Sequence, residues 1–378
     1  MISLLVVNNA KTIAILATCL LLIVFGPLVK AENVASINKS ADKNQFISGI
    51  KWHPGHYIML YPKQKEPNYF YSVMVDLRTN QAFRGVQKKY FWNRLEPQYG
   101  VYDFSEISND LTNLARINKH LVLSLQAESF ITSEKLVPDY LLTNEYEGGV
   151  YPIDTGKGYN VAYYNRKVQD RLIALIEALG REFDSNPNLE AVNFEETSPS
   201  RKEPEWHRSY IKNYIAGMLR VAESAKSAFP HTVIIQYVNY PDTSLPLIVP
   251  ALIKSGIGMG GPDVYPNNNS LARGVYSYHS KVSGIIPIGM AVDYDDYQSS
   301  NGESNSLDKP SIESIHKFAS NQLKPNYMFW LRRTKEPSNG SNYWQNVLDY
   351  FAHYDWELNP FGGLDSSCPT TFSSCMKN

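Results

Sequence analysis

The chain has 378 residues, and its 36 basic and 37 acidic residues leave a formal charge close to zero. This balance gives no support to nucleic-acid binding, and it argues against a highly charged, disordered chain. Hydrophobic residues make up 43% of the chain, as in an ordinary globular protein.

Residues 1–31 predict a secretory signal. Lys11 precedes an apolar run from Thr12 to Val29, and Ala31 offers a small residue for cleavage. We expect cleavage after Ala31 and a secreted or periplasmic protein without stable membrane insertion. An uncleaved anchor is the alternative, because the run is close to the length of a membrane span. The polar, aperiodic residues 32–46 favour a flexible lead-in.

From residue 47 to residue 360, apolar strand-like runs alternate with amphipathic helical stretches. Such alternation predicts a parallel sheet, and eight units in about 320 residues predict a single (β/α)8 TIM barrel. The predicted strands are Ile47–Leu60, Phe83–Trp92, Leu121–Glu128, Leu189–Glu195, Thr232–Tyr240, Ile257–Tyr265, Ile285–Asp293 and Tyr327–Arg332. Between the third and fourth strands, residues 130–165 are expected to form a loop over the barrel mouth.

Residues 361–378 form a Ser/Thr-rich tail that contains Cys368 and Cys375. Cys19 is removed with the predicted signal. In an exported protein, two remaining cysteines so close together predict a disulfide that closes a small loop. We expect this bridge to hold the C-terminus and to have no catalytic role.

The ends of the predicted strands carry most of the polar residues. The C-terminal ends of barrel strands converge on one site. The fourth strand is apolar until it reaches Glu195 and Glu196. On the seventh strand, the small residues Gly289 and Ala291 share a parity with Asp293, which predicts that Asp293 points into the barrel. Strands four and seven lie nearly opposite each other, so these acids can face a common substrate.

The most specific signal follows the second strand. The segment Trp92-Asn-Arg-Leu-Glu-Pro-Gln-Tyr-Gly-Val-Tyr-Asp-Phe-Ser-Glu-Ile107 is followed by Leu111, Leu114, Ala115 and the apolar run Lys119–Leu125. This pattern resembles the large clan of (β/α)8 glycoside hydrolases that includes β-galactosidases, xylanases and β-xylosidases. The matching positions cover most of the mature chain in strand order.

The resemblance implies where the catalytic groups lie. The clan carries an Asn-Glu pair at the end of strand four, a nucleophilic Glu at the end of strand seven and often a Trp on strand eight. Asn193, Glu195 and Trp330 occupy the matching places. Two departures matter: a Phe separates Asn193 from Glu195, so the acid is either Glu195 or Glu196, and strand seven offers Asp293 in place of Glu.

The sequence therefore predicts an exported, monomeric glycosidase that cleaves a poly- or oligosaccharide with two carboxyl groups. Glu195 or Glu196 is the expected acid, and Asp293 is the expected base or nucleophile. Asp263 and Glu128 are alternatives for the second carboxyl group, although Asp263 is equally explained as a turn residue beside Pro262. The shorter Asp293 favours an inverting reaction, in which the two acids lie farther apart.

Several residues on the strand ends are predicted to contact the substrate. A ring has a flat apolar face that suits a sugar, although core packing explains such rings equally well. The candidate aromatic contacts are Trp52, Trp92, Tyr265 and Trp330. The candidate polar contacts are His56, Arg94, Glu128, Asn193 and Asn239. For Glu195, the structural alternative is a salt bridge to Arg94 or to another basic residue at the barrel mouth.

Other kinds of site are not supported by the sequence. It has no Gly-rich phosphate loop, no Gly-x-Ser-x-Gly nucleophile elbow and no convincing metal cluster, so no cofactor or metal is expected. His53 and His56 leave a metal-dependent hydrolase as a minor alternative. The main rival is a barrel that binds a glycan without cleaving it, because strand seven lacks the expected Glu.

Overall fold

The computed structural model describes residues 49–60, 69–131, 133–154, 156–200, 208–303, 306, 308–333 and 342–376. The predicted signal and lead-in lie outside the described residues. Among the helices that are described, none is both long and apolar enough to cross a membrane.

Eight parallel strands close into a barrel in sequence order, which confirms the predicted (β/α)8 fold. The strands are β1 (Gly55–Leu60), β2 (Phe83–Phe91), β3 (His120–Gln126), β4 (Leu189–Phe194), β5 (Val233–Tyr237), β6 (Gly258–Gly261), β7 (Ile288–Val292) and β8 (Tyr327–Arg332). All but a few of their residues are buried, because helices cover the outside and side chains fill the inside.

One main helix follows each strand. These helices are α1 (Tyr69–Thr79), α2 (Ser105–Ala115), α3 (Arg166–Phe183), α4 (Arg208–Ala228), α5 (Leu245–Ser255), α6 (Tyr276–Val282), α7 (Ile312–Phe318) and α8 (Tyr343–Ala352). Their ends follow ordinary capping chemistry. The Asn165 side chain accepts hydrogen bonds from two backbone N–H groups at the start of α3, and Gly256 ends α5 in the left-handed conformation.

Small residues on β7 make room for large side chains inside the barrel. A Cβ atom on Gly289 would lie 2.9 Å from the side chain of Ile235 on β5 and 3.1 Å from the ring of Phe329 on β8. The parity of Gly289 therefore faces the barrel interior. Asp293 follows on this parity directly after the strand.

The N-terminal end of the barrel is covered by the C-terminal tail (residues 361–376). A two-residue strand, Ile50–Lys51, pairs in parallel with Cys375–Met376. Cys368 and Cys375 form the predicted disulfide, with their Cα atoms 5.8 Å apart. The tail is thereby bonded to the segment that leads into β1.

The long connection between β3 and α3 has structure of its own. It contains two short 3-10 turns, Asp139–Leu142 and Asn144–Tyr146, and an antiparallel ribbon of Val150–Pro152 with Tyr159–Val161. Ser129 bridges to Tyr159, which returns the ribbon to the C-terminal end of β3. The connection therefore lies beside the barrel mouth.

Candidate active site

Among the described residues, the five acids named from the sequence lie at the C-terminal ends of the strands. Glu128 follows β3, Glu195 and Glu196 follow β4, Asp263 follows β6 and Asp293 follows β7. Their charges act on one another: Glu195 and Glu196 each raise the pKa of Glu128, and Glu196 and Asp293 each raise that of Asp263. The fold thus brings all four acids predicted for catalysis, together with Glu128, into one acidic group.

Glu195 is held on the β3 side of the mouth. Its carboxyl oxygens accept hydrogen bonds from the backbone N–H groups of Ala127 at 2.9 Å and of Glu128 at 2.9 and 3.1 Å. Burial raises the pKa of Glu195 to about 8, against the opposing effect of these hydrogen bonds. Burial, followed by the Glu195 charge, raises the pKa of Glu128 well above its usual range.

Glu196 turns towards the other side of the mouth. Its carboxyl group accepts a hydrogen bond from the side-chain amide of Asn239, which follows β5. Burial raises the pKa of Glu196, the Asn239 hydrogen bond opposes that shift, and the charge of Asp293 adds to it. Of the two adjacent glutamates, Glu196 is therefore the one engaged with the acids on β6 and β7.

Asp263 is the acid next to Glu196 and Asp293. Burial raises its pKa to about 8, the charges of Glu196 and Asp293 contribute in that order, and a hydrogen bond with the Tyr265 side chain opposes the shift. A carboxyl group of this kind holds a proton near neutral pH, which removes one negative charge from beside Glu196 and Asp293.

Asp293 also has a structural role. It is the N-cap of a short helix, Tyr294–Gln298, and accepts the N–H of Tyr294 at 2.6 Å. The buried carboxyl group of Asp296 accepts the backbone N–H of Asp293 at 2.7 Å and that of Val264. Asp296, which sequence reasoning missed, therefore connects the ends of β6 and β7. Its spacing of three residues from Asp293 is the signal of a capping box.

Gln87, Lys89 and Tyr237 also belong to the site, but they were not predicted from the sequence because they lie within strands. The buried amide of Gln87 donates to Asn193 Oδ1 and to the hydroxyl of Tyr237, both at 2.8 Å. The positive charge of Lys89 lowers the pKa values of Glu128, Glu195 and Glu196. The alternation of side chains along β2 could have revealed Gln87 and Lys89. Lys88 lies between them on the outer face of the strand, where it binds Asp110 of α2.

The family-like motif at Trp92 proves to be structural. Trp92 is fully buried, and its indole N–H donates to Glu96 at 2.9 Å. Glu96 also pairs with Arg171 of α3. The expectation that Trp92 contacts a substrate is wrong, because its ring packs away from solvent. Arg94 is exposed, with its guanidinium carbon 5.1 Å from the ring centre of Phe91, and it forms no salt bridge with Glu195.

Trp52 and His56 are also wrong as substrate contacts. The barrel strand β1 begins only at Gly55, so both residues lie at the N-terminal end of the barrel, opposite the acids. Trp52 is buried, and its indole N–H donates to the carbonyl of Ser366 in the tail at 3.1 Å. His56 Nε2 lies 3.1 Å from the carbonyl of Gly362.

Trp330 faces outwards from β8, contrary to its predicted role as a sugar platform. Its indole N–H donates to His56 Nδ1 at 3.0 Å, and its ring centre lies 5.6 Å from that of Phe351 on α8. It shares a parity with Arg332, which binds Asp76 of α1. Both ring nitrogens of His56 are therefore occupied, and this excludes the His53–His56 metal pair.

The remaining predicted contacts stay near the acids but are largely buried. Asn193 is fully buried below Glu195, Asn239 holds Glu196, and the Tyr265 side chain binds Asp263. Two exposed rings that sequence reasoning missed stand closer to solvent. Phe130, two residues after Glu128, is 55% exposed, and Tyr240, which follows Asn239, is 37% exposed.

Several solved structures share this fold. The catalytic domain of β-amylase from Paenibacillus polymyxa matches with a TM-score of 0.55 and 8% identity, over 80% of this chain and 98% of that one. Endo-glycoceramidase II from Rhodococcus sp. matches with a TM-score of 0.52 and 9% identity, over 80% of each chain. A β-galactosidase from the Antarctic haloarchaeon Halorubrum lacusprofundi matches with a TM-score of 0.53 and 11% identity, over 80% of this chain and 58% of that one.

No protein-family profile matches the chain, and no curated protein is similar to it in sequence. These three proteins are glycoside hydrolases, in agreement with the resemblance in the sequence. Because the identities are this low, what they share with the chain is its architecture. The protein is thus a (β/α)8 barrel of the type on which these glycosidases are built.

Proposed function

We propose that the protein is an exported glycoside hydrolase that cleaves a poly- or oligosaccharide with paired carboxyl groups. The observation that carries this proposal is the grouping of Glu196, Asp263 and Asp293, in which burial raises the pKa of Glu196 and Asp263 and the charge of Asp293 adds to both shifts. Glycoside hydrolysis needs one carboxyl group that holds a proton and another that is ionised. Export rests on the predicted signal at residues 1–31.

Glu196 is the proposed general acid and Asp293 the proposed base or nucleophile. Glu195 is less suited to the acid role, because two backbone N–H groups hold it beside Glu128. In the reaction, Glu196 donates its proton to the glycosidic oxygen while the bond from that oxygen to the anomeric carbon breaks. Asp293 either takes a proton from the attacking water or attacks the anomeric carbon itself before water releases the sugar.

The substrate is proposed to lie across the mouth rather than on the predicted tryptophans. Phe130 lies two residues after Glu128, and Tyr240 follows Asn239, which binds Glu196; both exposed rings offer apolar faces to sugar rings. The positive charge of Lys89 lowers the pKa values of Glu128, Glu195 and Glu196, and it offsets part of the negative charge of the ionised acids at the mouth.

The test is the release of reducing ends from a broad panel of polysaccharides. Glu196→Gln and Asp293→Asn should each lower kcat by about 100-fold or more, since each removes a group that acts in the transition state. Glu313→Gln, which changes an exposed acid on α7, is the control and should keep full activity. Full activity of Glu196→Gln would contradict the assignment.

A barrel that binds glycans without cleaving them is the second candidate. It is favoured by the capping role of Asp293, which explains the presence of this acid without catalysis. In that case the wild type should bind a polysaccharide of the panel and release no product. Asp293→Ala, which removes the cap, should then lower the thermal stability and leave the glycan affinity unchanged.

A further inference from the structure

We propose that the N-terminal end of the barrel binds a small oxyanion of the phosphate or sulfate type. A cavity of about 200 Å³ lies there, at the opposite end of the strands from the acids. Arg84 of β2, Lys119 just before β3, and the two imidazoles of His53 and His120 all line it.

Arg84 and Lys119 are the two side chains of this cavity that lack an acidic partner among the described residues. Within the described parts of the chain, Arg84 donates only to the carbonyl of Pro360 at 3.4 Å and Lys119 to that of Phe83 at 2.5 Å. Burial and then the Arg84 charge lower the pKa of Lys119. Two like charges in one cavity repel each other, and a bound anion would offset that repulsion.

His120 adds an unpartnered polar atom to the lining of the cavity. It is 9% exposed, and its Nδ1 has no hydrogen-bond partner. Its ring stacks on that of His53, with the ring centres 3.9 Å apart. A buried polar atom without a partner is uncommon in a native structure and points to a bound group that completes it. Because the His120 ring also forms a hydrogen bond with the Pro187 backbone, Nδ1 donates to an anion in the protonated imidazolium, the form that an adjacent negative charge favours.

A metal ion is the competing occupant, because His53, His120 and Glu190 each offer a ligand atom within 4.8 Å of the others. Three observations disfavour it. The two imidazole planes differ by only 16°, so their in-plane lone pairs do not converge on one point. Glu190 already accepts hydrogen bonds from the His53 backbone at 2.7 Å, from the His53 ring at 2.6 Å and from the Tyr327 hydroxyl at 2.7 Å. Arg84 and Lys119 would also repel a cation.

The chemistry of the cavity favours a tetrahedral oxyanion. The Arg84 guanidinium offers a fork of N–H donors, and the Lys119 ammonium adds a point charge. The anion would join β2, β3 and the segment before β1, and it would therefore stabilise the folded barrel. Its source is either free phosphate or sulfate, or the same group on a sugar ester.

The test measures Tm of the full chain with added inorganic phosphate or sulfate, against sodium chloride at equal ionic strength. Well above Kd, phosphate or sulfate should raise Tm by about 1–3 °C more than chloride. Arg84→Gln should abolish the difference. Arg116→Gln removes a nearby exposed arginine with the same change in charge, and it should keep the difference.

Two further experiments distinguish free phosphate from a phosphate ester and measure the affinity directly. Glucose 6-phosphate in place of inorganic phosphate tests whether an ester enters the cavity. Calorimetric titration with phosphate gives the Kd of each variant, including Arg84→Lys, which keeps the charge and should bind weakly. Equal effects of phosphate and chloride, or saturable stabilisation by Zn²⁺ alone, would overturn the proposal.

Discussion

Asp263 and Glu195 are carboxyl groups whose pKa values are raised to about 8, mainly by burial. Such a group binds its proton more tightly in the folded than in the unfolded chain. The folded state therefore gains stability from that proton at low pH. This gain is lost as pH rises from the unfolded pKa, near 4, through the folded pKa near 8.

The consequence at Asp263 is a change in the pH dependence of stability. The wild type should lose stability between pH 5 and pH 8, and Asp263→Asn should lose less, because an amide does not ionise. Asp263 is partly exposed, so solvent screening reduces the difference between the two proteins to about 1–2 kcal/mol. Urea unfolding at both pH values measures it. Parallel pH profiles for the two proteins would contradict the raised pKa.

At the scale of the strands, periodicity was sufficient to predict the fold. All eight predicted runs overlap a barrel strand, since alternation of apolar runs and amphipathic helices is set by local burial. The ends of β4, β6 and β7 were predictable for the same reason. A residue's role was not predictable where it depends on the point at which a strand starts or on the face of the strand that the side chain occupies. Trp52 and His56 lie before or at the start of β1, and Trp330 faces the helices.

The motif that carries the family resemblance acts through packing. Glu96 is fully buried between the indole N–H of Trp92 and the guanidinium of Arg171, and it also accepts the N–H of Gly100 at 3.0 Å. A sequence pattern reports that these residues occur together, but it does not separate a structural carboxylate from a catalytic one. The contacts of Glu96 separate these two roles, because none of the bonds named above links Glu96 to a residue at the barrel mouth.

Glu96→Gln should therefore affect stability rather than chemistry. It removes one partner of a buried ion pair and leaves Arg171 without its countercharge, which costs about 3 kcal/mol. The matched control is Glu145→Gln, which breaks the exposed pair with Lys167 and should cost less than about 1 kcal/mol. Unfolding in urea gives both values. A loss of activity in folded Glu96→Gln without loss of stability would show that the residue acts at the mouth.

At the scale of the whole molecule, the two ends of the barrel have separate roles. The acids lie at the C-terminal end of the strands, and the tail lies at the N-terminal end. The backbone N–H of Ile50 donates to Ser374 at 2.9 Å, that of Trp52 donates to Met376 at 3.0 Å, and Phe372 packs edge-on against Trp52. The tail therefore contributes to the stability of the barrel and makes no contact with the candidate site through these bonds.

The disulfide should strengthen this closure without affecting the mouth. Replacing Cys368 and Cys375 by serine frees a loop with a sequence separation of 7 and should lower the stability by about 2 kcal/mol. Because Trp52 is buried against the tail, local detachment should change tryptophan fluorescence before the barrel unfolds. Any glycan cleavage should keep its kcat at temperatures where the variant remains folded. If kcat fell in that folded state, the two ends of the barrel would be coupled, and the separation of roles argued from the contacts would not hold.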